Sequence, residues 1–325
     1  MSSFTSCKKV ELHLHLEGAA SPHLVRDICK SSGTQIPEIF DKAGNYNWQN
    51  FNQFLAIYEI VTNIFSDEKN FEVLVRHVLD RQVKENVIYN EIFLGPHLWS
   101  DRPNYQWERF LNIASKVADE YEKKYGIYTY FIIVCIRHLG PEKALEAARF
   151  ASNVTNKHVV GFGMAGDETK FNTLDFIRSF DFAKQSGLGT TTHAGEICGA
   201  KSVDEAIKLG VTRVGHGVRS CESEETIINL SKKNILLEVC PGSNIALGLY
   251  SSLDDHPINF LLNKDVPVSI STDDPPFFST CLSKEYQNLH NVFGWGFEIF
   301  SQINKKSLEF AFCEATLKEK LIQQF

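Results

Sequence analysis

The sequence has no Cys-x-x-Cys pair and no regular spacing among its eight cysteines. That excludes a paired-thiolate metal site and argues against a disulfide framework, so the thiols read as reduced core residues. Long apolar runs are also missing. The longest, 130–136, falls far short of the roughly 20 residues that cross a bilayer, and residues 1–9 hold no signal-peptide core. A cytoplasmic protein without a membrane partner is expected. Basic charge is scarce as well: 33 Lys and Arg face 40 Asp and Glu, for a net charge of −7. With no basic cluster to neutralise phosphates, the charge argues against a nucleic-acid partner and makes a small molecule the natural one. No Gly/Ser-rich linker, low-complexity tract or internal repeat divides the chain, so one domain spanning 1–325 is expected. What is present, 43% hydrophobic and 22% charged residues, is enough to build a substantial core.

Short apolar runs alternate with longer amphipathic ones. Runs at 10–16, 87–94, 127–135, 158–162, 189–193, 213–216, 235–239 and 266–271 read as strands. Helical patterns at 141–152, 174–185, 203–209 and 222–232 fall between them, several opened by Pro or Ser and closed by Gly or Lys. Eight strand–helix alternations predict a parallel (β/α)8 TIM barrel with its helices outside. Two additions are expected: a helical insertion after strand 1, over 22–85, and C-terminal helices over 301–325. The insertion carries Trp48, Phe51, Phe54, Tyr58 and Phe65, of which Phe51, Phe54 and Tyr58 are candidates to cover a substrate.

Ionisable residues collect where the strands end. Glu11-Leu12-His13-Leu14-His15-Leu16-Glu17-Gly18 places two histidines two residues apart on one strand. Alternate side chains share a face, so both imidazoles point one way, about 6.6 Å apart along the strand. Thr192-His193-Ala194-Gly195-Glu196 ends the fifth strand, Gly215-His216-Gly217 the sixth, and Ser271-Thr272-Asp273-Asp274-Pro275-Pro276 the eighth. In a parallel barrel these ends open on the same face, where active sites lie. Taken singly, each histidine could be a core residue and each acid a solvated turn. Taken together they would be costly to bury unless a metal and a substrate satisfy them. His13, His15, His193 and Asp273 offer a nitrogen/oxygen set suited to zinc with a position left for water, although iron, manganese or nickel could use it. His216, beside that set, would orient the water.

These motifs resemble the adenosine/adenine deaminases of the amidohydrolase superfamily. The resemblance rests on the segment 11–18, Ala165-Gly166-Asp167-Glu168, His193-Ala194-Gly195-Glu196, Gly215-His216-Gly217, Cys240-Pro241-Gly242-Ser243-Asn244 and Thr272-Asp273-Asp274-Pro275, in that order. It implies an enzyme with one zinc ion that replaces the 6-amino group of a purine by oxygen and releases ammonia, in purine metabolism. Zinc would lower the pKa of a water towards neutrality for attack on carbon 6. The resemblance makes Glu196 the protonated carboxyl that supplies nitrogen 1, Asp274 the partner of nitrogen 7, and the Gly166 amide the donor to nitrogen 3. Asp167 and Glu168 are expected to close the loop around Gly166.

Departures bear on the substrate. Glu17 stands where many adenosine deaminases carry an Asp thought to reach the ribose, and Glu is the usual residue of adenine deaminases. Phe93 and Gly95 replace an Arg and a Ser frequent in relatives. The segment 240–248 looks more like the nucleoside-acting bacterial branch. On balance adenosine or deoxyadenosine ranks ahead of adenine, with a modified adenine nucleoside or nucleotide also open. Two other classes remain: a metal-dependent hydrolase of a cyclic amide, distinguished by ring opening, and a catalytically dead barrel, marked by a lost ligand or acid. The zinc deaminases built on His-x-Glu and Pro-Cys-x-x-Cys are excluded by the missing cysteine pair. The fourth strand run ends in Gly163-Met164-Ala165, without the lysine that would bridge two metals. The histidines at 23, 77, 97, 138, 158, 256 and 290 are assigned to surface or packing.

Overall fold

The computed structural model describes residues 3–99 and 104–325. Eight strands form one parallel sheet in chain order: β1 (Lys9–His15), β2 (Val87–Leu94), β3 (Tyr128–Ile136), β4 (Val159–Ala165), β5 (Gly189–Ala194), β6 (Arg213–His216), β7 (Leu236–Val239) and β8 (Val268–Ile270). A parallel bridge from Leu14 to Asp273 brings the last strand back to the first. His15 N–H donates to the Asp273 carbonyl at 3.0 Å and Asp273 N–H to the His13 carbonyl at 3.1 Å. The closing hydrogen bonds of the (β/α)8 barrel therefore lie among the candidate metal-ligating residues His13, His15 and Asp273.

Each predicted strand is present, β2 and β6 with unchanged bounds and the others displaced at their ends by one to three residues. The largest contraction is β8, which ladders with β7 only from Val268 to Ile270. Beyond it the chain turns, with Asp273 in the left-handed region at φ 65°.

Between β1 and β2 the insertion folds as α1 (Pro22–Ser32), α2 (Phe51–Ile64) and α3 (Glu68–Lys84). Local chemistry sets these starts. Ser21, Asn50 and Asp67 each accept a backbone N–H of the first turn through the side chain, satisfying donors that a helix start otherwise leaves unpaired. Pro22 opens α1 and Gly33, at φ 70°, closes it. The C-terminal helices run Phe297–Phe310 and Ala315–Ile322. Between them Phe312 lies under the barrel, where the Arg213 guanidinium stacks on its ring at 3.7 Å. Among the described residues no helix is long and apolar enough to cross a membrane.

Candidate active site

The C-terminal ends of the strands open on a cavity of about 680 Å³. His15, His193, His216, Glu196, Asp273, Asp274, Glu17 and Gly166, from five separate stretches of chain, all border it. His13 lies just beneath, fully buried. His13, His15, His193 and Asp273 each offer one ligand atom within 4.8 Å of the others. Asp273 Oδ1 is 3.4 Å from His13 Nε2 and 3.3 Å from His15 Nε2, and the Nε2 atoms of His15 and His193 are 3.2 Å apart.

Two rings are aimed from behind. His13 Nδ1 meets the buried Glu238 carboxylate at 2.8 Å, and His193 Nδ1 donates to the Met164 carbonyl at 2.9 Å. With their protons held there, both Nε2 atoms present lone pairs to the shared space, and His13 Nε2 has no hydrogen-bond partner. Burial opposes a charge on His13, yet the Asp273 and Glu238 carboxylates beside it outweigh that and push its pKa up to about 9, so that without a cation Nε2 takes up a proton. The site is short of positive charge. Converging bare nitrogens around an ionised carboxylate fit a divalent cation.

Gly215 makes the convergence possible, because a Cβ there would stand 2.9 Å from His13 Cε1. At Gly18 a Cβ would meet Asp274 Oδ1 at 1.5 Å, so the glycine after Glu17 leaves the space that Asp274 fills. His216 holds a left-handed backbone, φ 58°, the kind of strain that active sites retain.

The carboxyl groups divide by environment. Burial opposes ionisation of Asp273, but hydrogen bonds from His13 and His15 and the nearby imidazoles hold it well below the usual range. Burial pushes Glu196 well above that range, and the charges of Asp273 and Glu168 push it further. Asp274 is raised likewise by burial, Asp273 and Glu196. Glu17, buried where Trp99 Nε1–H donates to it at 2.5 Å, is pushed up to about 7 by burial. Near neutral pH the cavity thus holds Glu196 and Asp274 protonated beside an ionised Asp273, while Glu17 divides between its two forms.

Several contributors escaped the sequence reading. Glu238 joins His13 to an ionic layer under the site: Arg213 reaches Glu238 and Glu91 at 2.6 Å each, and Thr191 donates to Glu238 at 2.9 Å. A charge within Leu236-Leu237-Glu238-Val239 was the signal. Glu168 does more than close a loop, because it accepts the backbone N–H groups of Gly195, Glu196, Ile197 and Cys198 and the Ser202 hydroxyl. Ser243 donates to Asp273 Oδ2 at 2.7 Å. Of the histidines assigned to surface or packing, His97 and His138 line the cavity and His256 bonds Asn244. Phe51, Phe54 and Tyr58 line it from α2, whereas Phe65 is core. His216, Cys240 and Asp273 form a second potential metal triplet that shares Asp273. Burial pushes the Cys240 thiol well up, which leaves it protonated and a poor ligand.

The family model described as adenosine deaminase matches residues 8–325. The chain belongs to the adenosine deaminase family. An adenine deaminase of Agrobacterium fabrum (strain C58) is 38% identical over 315 residues, covering 97% of this chain and 96% of the other. One from Rhizobium rhizogenes (strain K84) is 36% identical over 316 residues, covering 97% and 98%. Among solved structures, adenine deaminase from Arthrobacter aurescens superposes with a TM-score of 0.89 at 25% identity, over 97% of each chain. As a member of this family the chain is a hydrolase of C–N bonds, and its reaction is the hydrolytic deamination of an aminopurine.

Proposed function

We propose that this chain converts adenine to hypoxanthine and ammonia, with one zinc ion held by His13, His15, His193 and Asp273. What carries the choice of adenine is the naming of relatives 36–38% identical across 97% of the chain as adenine deaminases. This reading puts adenine ahead of adenosine, the opposite of the order expected from sequence alone. Glu17 supports the reversal. Its carboxyl is held by Trp99 at the cavity wall, where it would accept the N9–H that a free base carries and a nucleoside lacks.

Bound zinc would supply the Lewis acidity that makes water nucleophilic near neutral pH. The chain's own groups do the rest. Glu196, protonated because of its burial, would donate to nitrogen 1 as charge develops there. Asp274, also kept protonated, would donate to nitrogen 7, and the Gly166 amide to nitrogen 3, each fixing the ring for attack at carbon 6. His216 would orient the attacking oxygen. Leu55, Phe278 and the aromatic residues of α2 border the cavity and would shield the ring from solvent.

The test compares kcat/KM for adenine, adenosine, deoxyadenosine and N6-methyl-AMP by ammonia release. Adenine should lead by at least about 100-fold, and Glu17→Gln should lower its kcat/KM by ten- to a hundred-fold, the effect of weakening a charged hydrogen bond worth about 1.5–3 kcal/mol. A lead for adenosine or a nucleotide would overturn the assignment.

A further inference from the structure

Behind His216 runs a chain of hydrogen bonds that begins at a donor whose direction cannot vary. The backbone N–H of Ile258 donates to His256 Nδ1 at 3.2 Å. A backbone N–H only donates, so Nδ1 is an acceptor and the His256 proton must sit on Nε2. His256 is 3% exposed, and burial lowers its pKa to about 3, so it carries that single proton at working pH. Its Nε2–H then donates to Asn244 Oδ1 at 3.1 Å. With its oxygen turned to His256, Asn244 turns its amide nitrogen to His216, where Nδ2–H donates to Nδ1 at 3.2 Å. The reverse amide orientation would set two donors, Asn244 Nδ2–H and His256 Nε2–H, against each other. His216 Nδ1 is therefore the acceptor, and the ring's proton is left on Nε2.

That Nε2 faces the reacting space. It is buried without a hydrogen-bond partner, 3.7 Å from Glu196 Oε1 and 3.9 Å from Asp273 Oδ2. The ring has no freedom to reverse itself, being fully buried with its centroid 4.9 Å from that of His13 and 5.1 Å from that of His193.

We propose that His256 and Asn244 are positioning residues that lock His216 in the tautomer protonated on Nε2, so that it offers the cavity a donor and never a lone pair. In that form His216 holds an attacking oxygen by one of the oxygen's lone pairs. It cannot act as the base that removes the oxygen's proton. The spacing of the three residues in sequence, 216, 244 and 256, hides the arrangement: Gly217 starts the turn after β6, Asn244 stands on the short helix Pro241–Ala246 after β7, and His256 precedes Ile258–Leu262. The consequence for turnover rests on the deaminase reading. The position of the proton does not.

The first measurement is on the wild-type protein, labelled with 15N in histidine and recorded with chelator and again with zinc. The His216 signal is identified by its loss in His216→Gln. It should show Nε2 protonated and Nδ1 bare in both spectra, and a proton on Nδ1 would overturn the proposal whatever reaction the enzyme performs. The second measurement inverts the relay. Asn244→Asp has nearly the same shape but only acceptors, so the His216 proton should move to Nδ1 to meet it. A catalytic imidazole in the wrong tautomer costs up to about 10⁴ in turnover. We expect kcat to fall at least about 100-fold, with KM within about threefold and zinc content and Tm retained. His256→Leu, which leaves the Asn244 amide free to turn, should lower kcat less. His256→Gln, whose amide can again donate to Asn244, should restore most of that loss. Unchanged kcat in folded, zinc-loaded Asn244→Asp would overturn the proposal, as would equal losses in His256→Leu and His256→Gln. Should the Asn244 variant fail to fold, the wild-type spectrum still decides.

Discussion

Glu196 and Asp273 border the same cavity, yet one is pushed far above the ordinary carboxylate range and the other held far below it. Burial alone would raise both. The difference lies in neighbours: Asp273 has three imidazoles, Glu196 has Glu168 and Asp273 itself. Glu196→Gln keeps the shape and removes the transferable proton, so turnover should fall by about 10² to 10⁴ with stoichiometric zinc retained. Near-normal turnover would refute the proton-donor role. Glu238 acts one contact further out, and Glu238→Gln should weaken zinc binding by about 10- to 100-fold in a competition titration, the usual cost of losing a ligand's hydrogen-bond partner. An unchanged affinity would show that His13 needs no such support. At this scale the sequence was legible where residue type and strand end coincide, as for His13, His15, His193, His216 and Asp273. It was opaque where function depends on pairing across the barrel. Nothing local tells that Glu238 meets His13, 225 residues away, or that His256 meets Asn244.

Strands were readable because apolar runs of this length, alternating with amphipathic ones, have few other uses. Their ends were less so, because the chain turns away just beyond β4, β5 and β8 for site geometry: Gly166, Gly195 and Asp273 all take positive φ, which no hydrophobic pattern encodes. The loop that carries Glu196 shows how such a turn is held. Five donors converge on the Glu168 carboxylate, and Glu168→Gln replaces one acceptor oxygen with a donor aimed at other donors. A loss of about 1–3 kcal/mol is expected, read as a Tm lowered by several degrees together with reduced turnover. Equal Tm and turnover would show that the loop is held elsewhere. A second element has a pH signature. Glu285, on the helix Leu282–Phe293, accepts Gly242 N–H and the Thr280 hydroxyl and is pushed up to about 7, mainly by burial. Unfolded, it would ionise near the ordinary glutamate value of about 4.3. Between those values the unfolded chain releases a proton that the folded one keeps, so this group's contribution to stability falls as pH rises and is fully lost above about 7. Glu285→Gln removes that dependence. The Tm of the variant relative to wild type should therefore improve from pH 5 to pH 8, and a constant difference would contradict the assignment.

Across the whole molecule, the candidate metal ligands also close the barrel. The bridge from Leu14 to Asp273 joins the first strand to the turn after the last, and a cation held by His13, His15, His193 and Asp273 would clamp β1, β5 and the end of β8 together. Since the unfolded chain has no such site, binding adds to folding stability, by about 2.7 kcal/mol at 100 times the Kd. Chelation should lower Tm by several degrees, zinc should restore it, and His193→Ala should abolish that response. A Tm indifferent to chelator would separate the metal from the fold. The barrel itself could be anticipated from eight alternations, whereas the ionic layer of Glu91, Arg213 and Glu238 beneath the site could not, because the three charges lie on separate strands and gain meaning only when the strands meet. The most direct test is an anomalous difference map recorded across the zinc edge from crystals of the zinc-loaded protein. One peak about 2.0–2.2 Å from the Nε2 atoms of His13, His15 and His193 and from Asp273 Oδ1 is the predicted result; a peak that omits any of the four, or none in the cavity, would contradict the account.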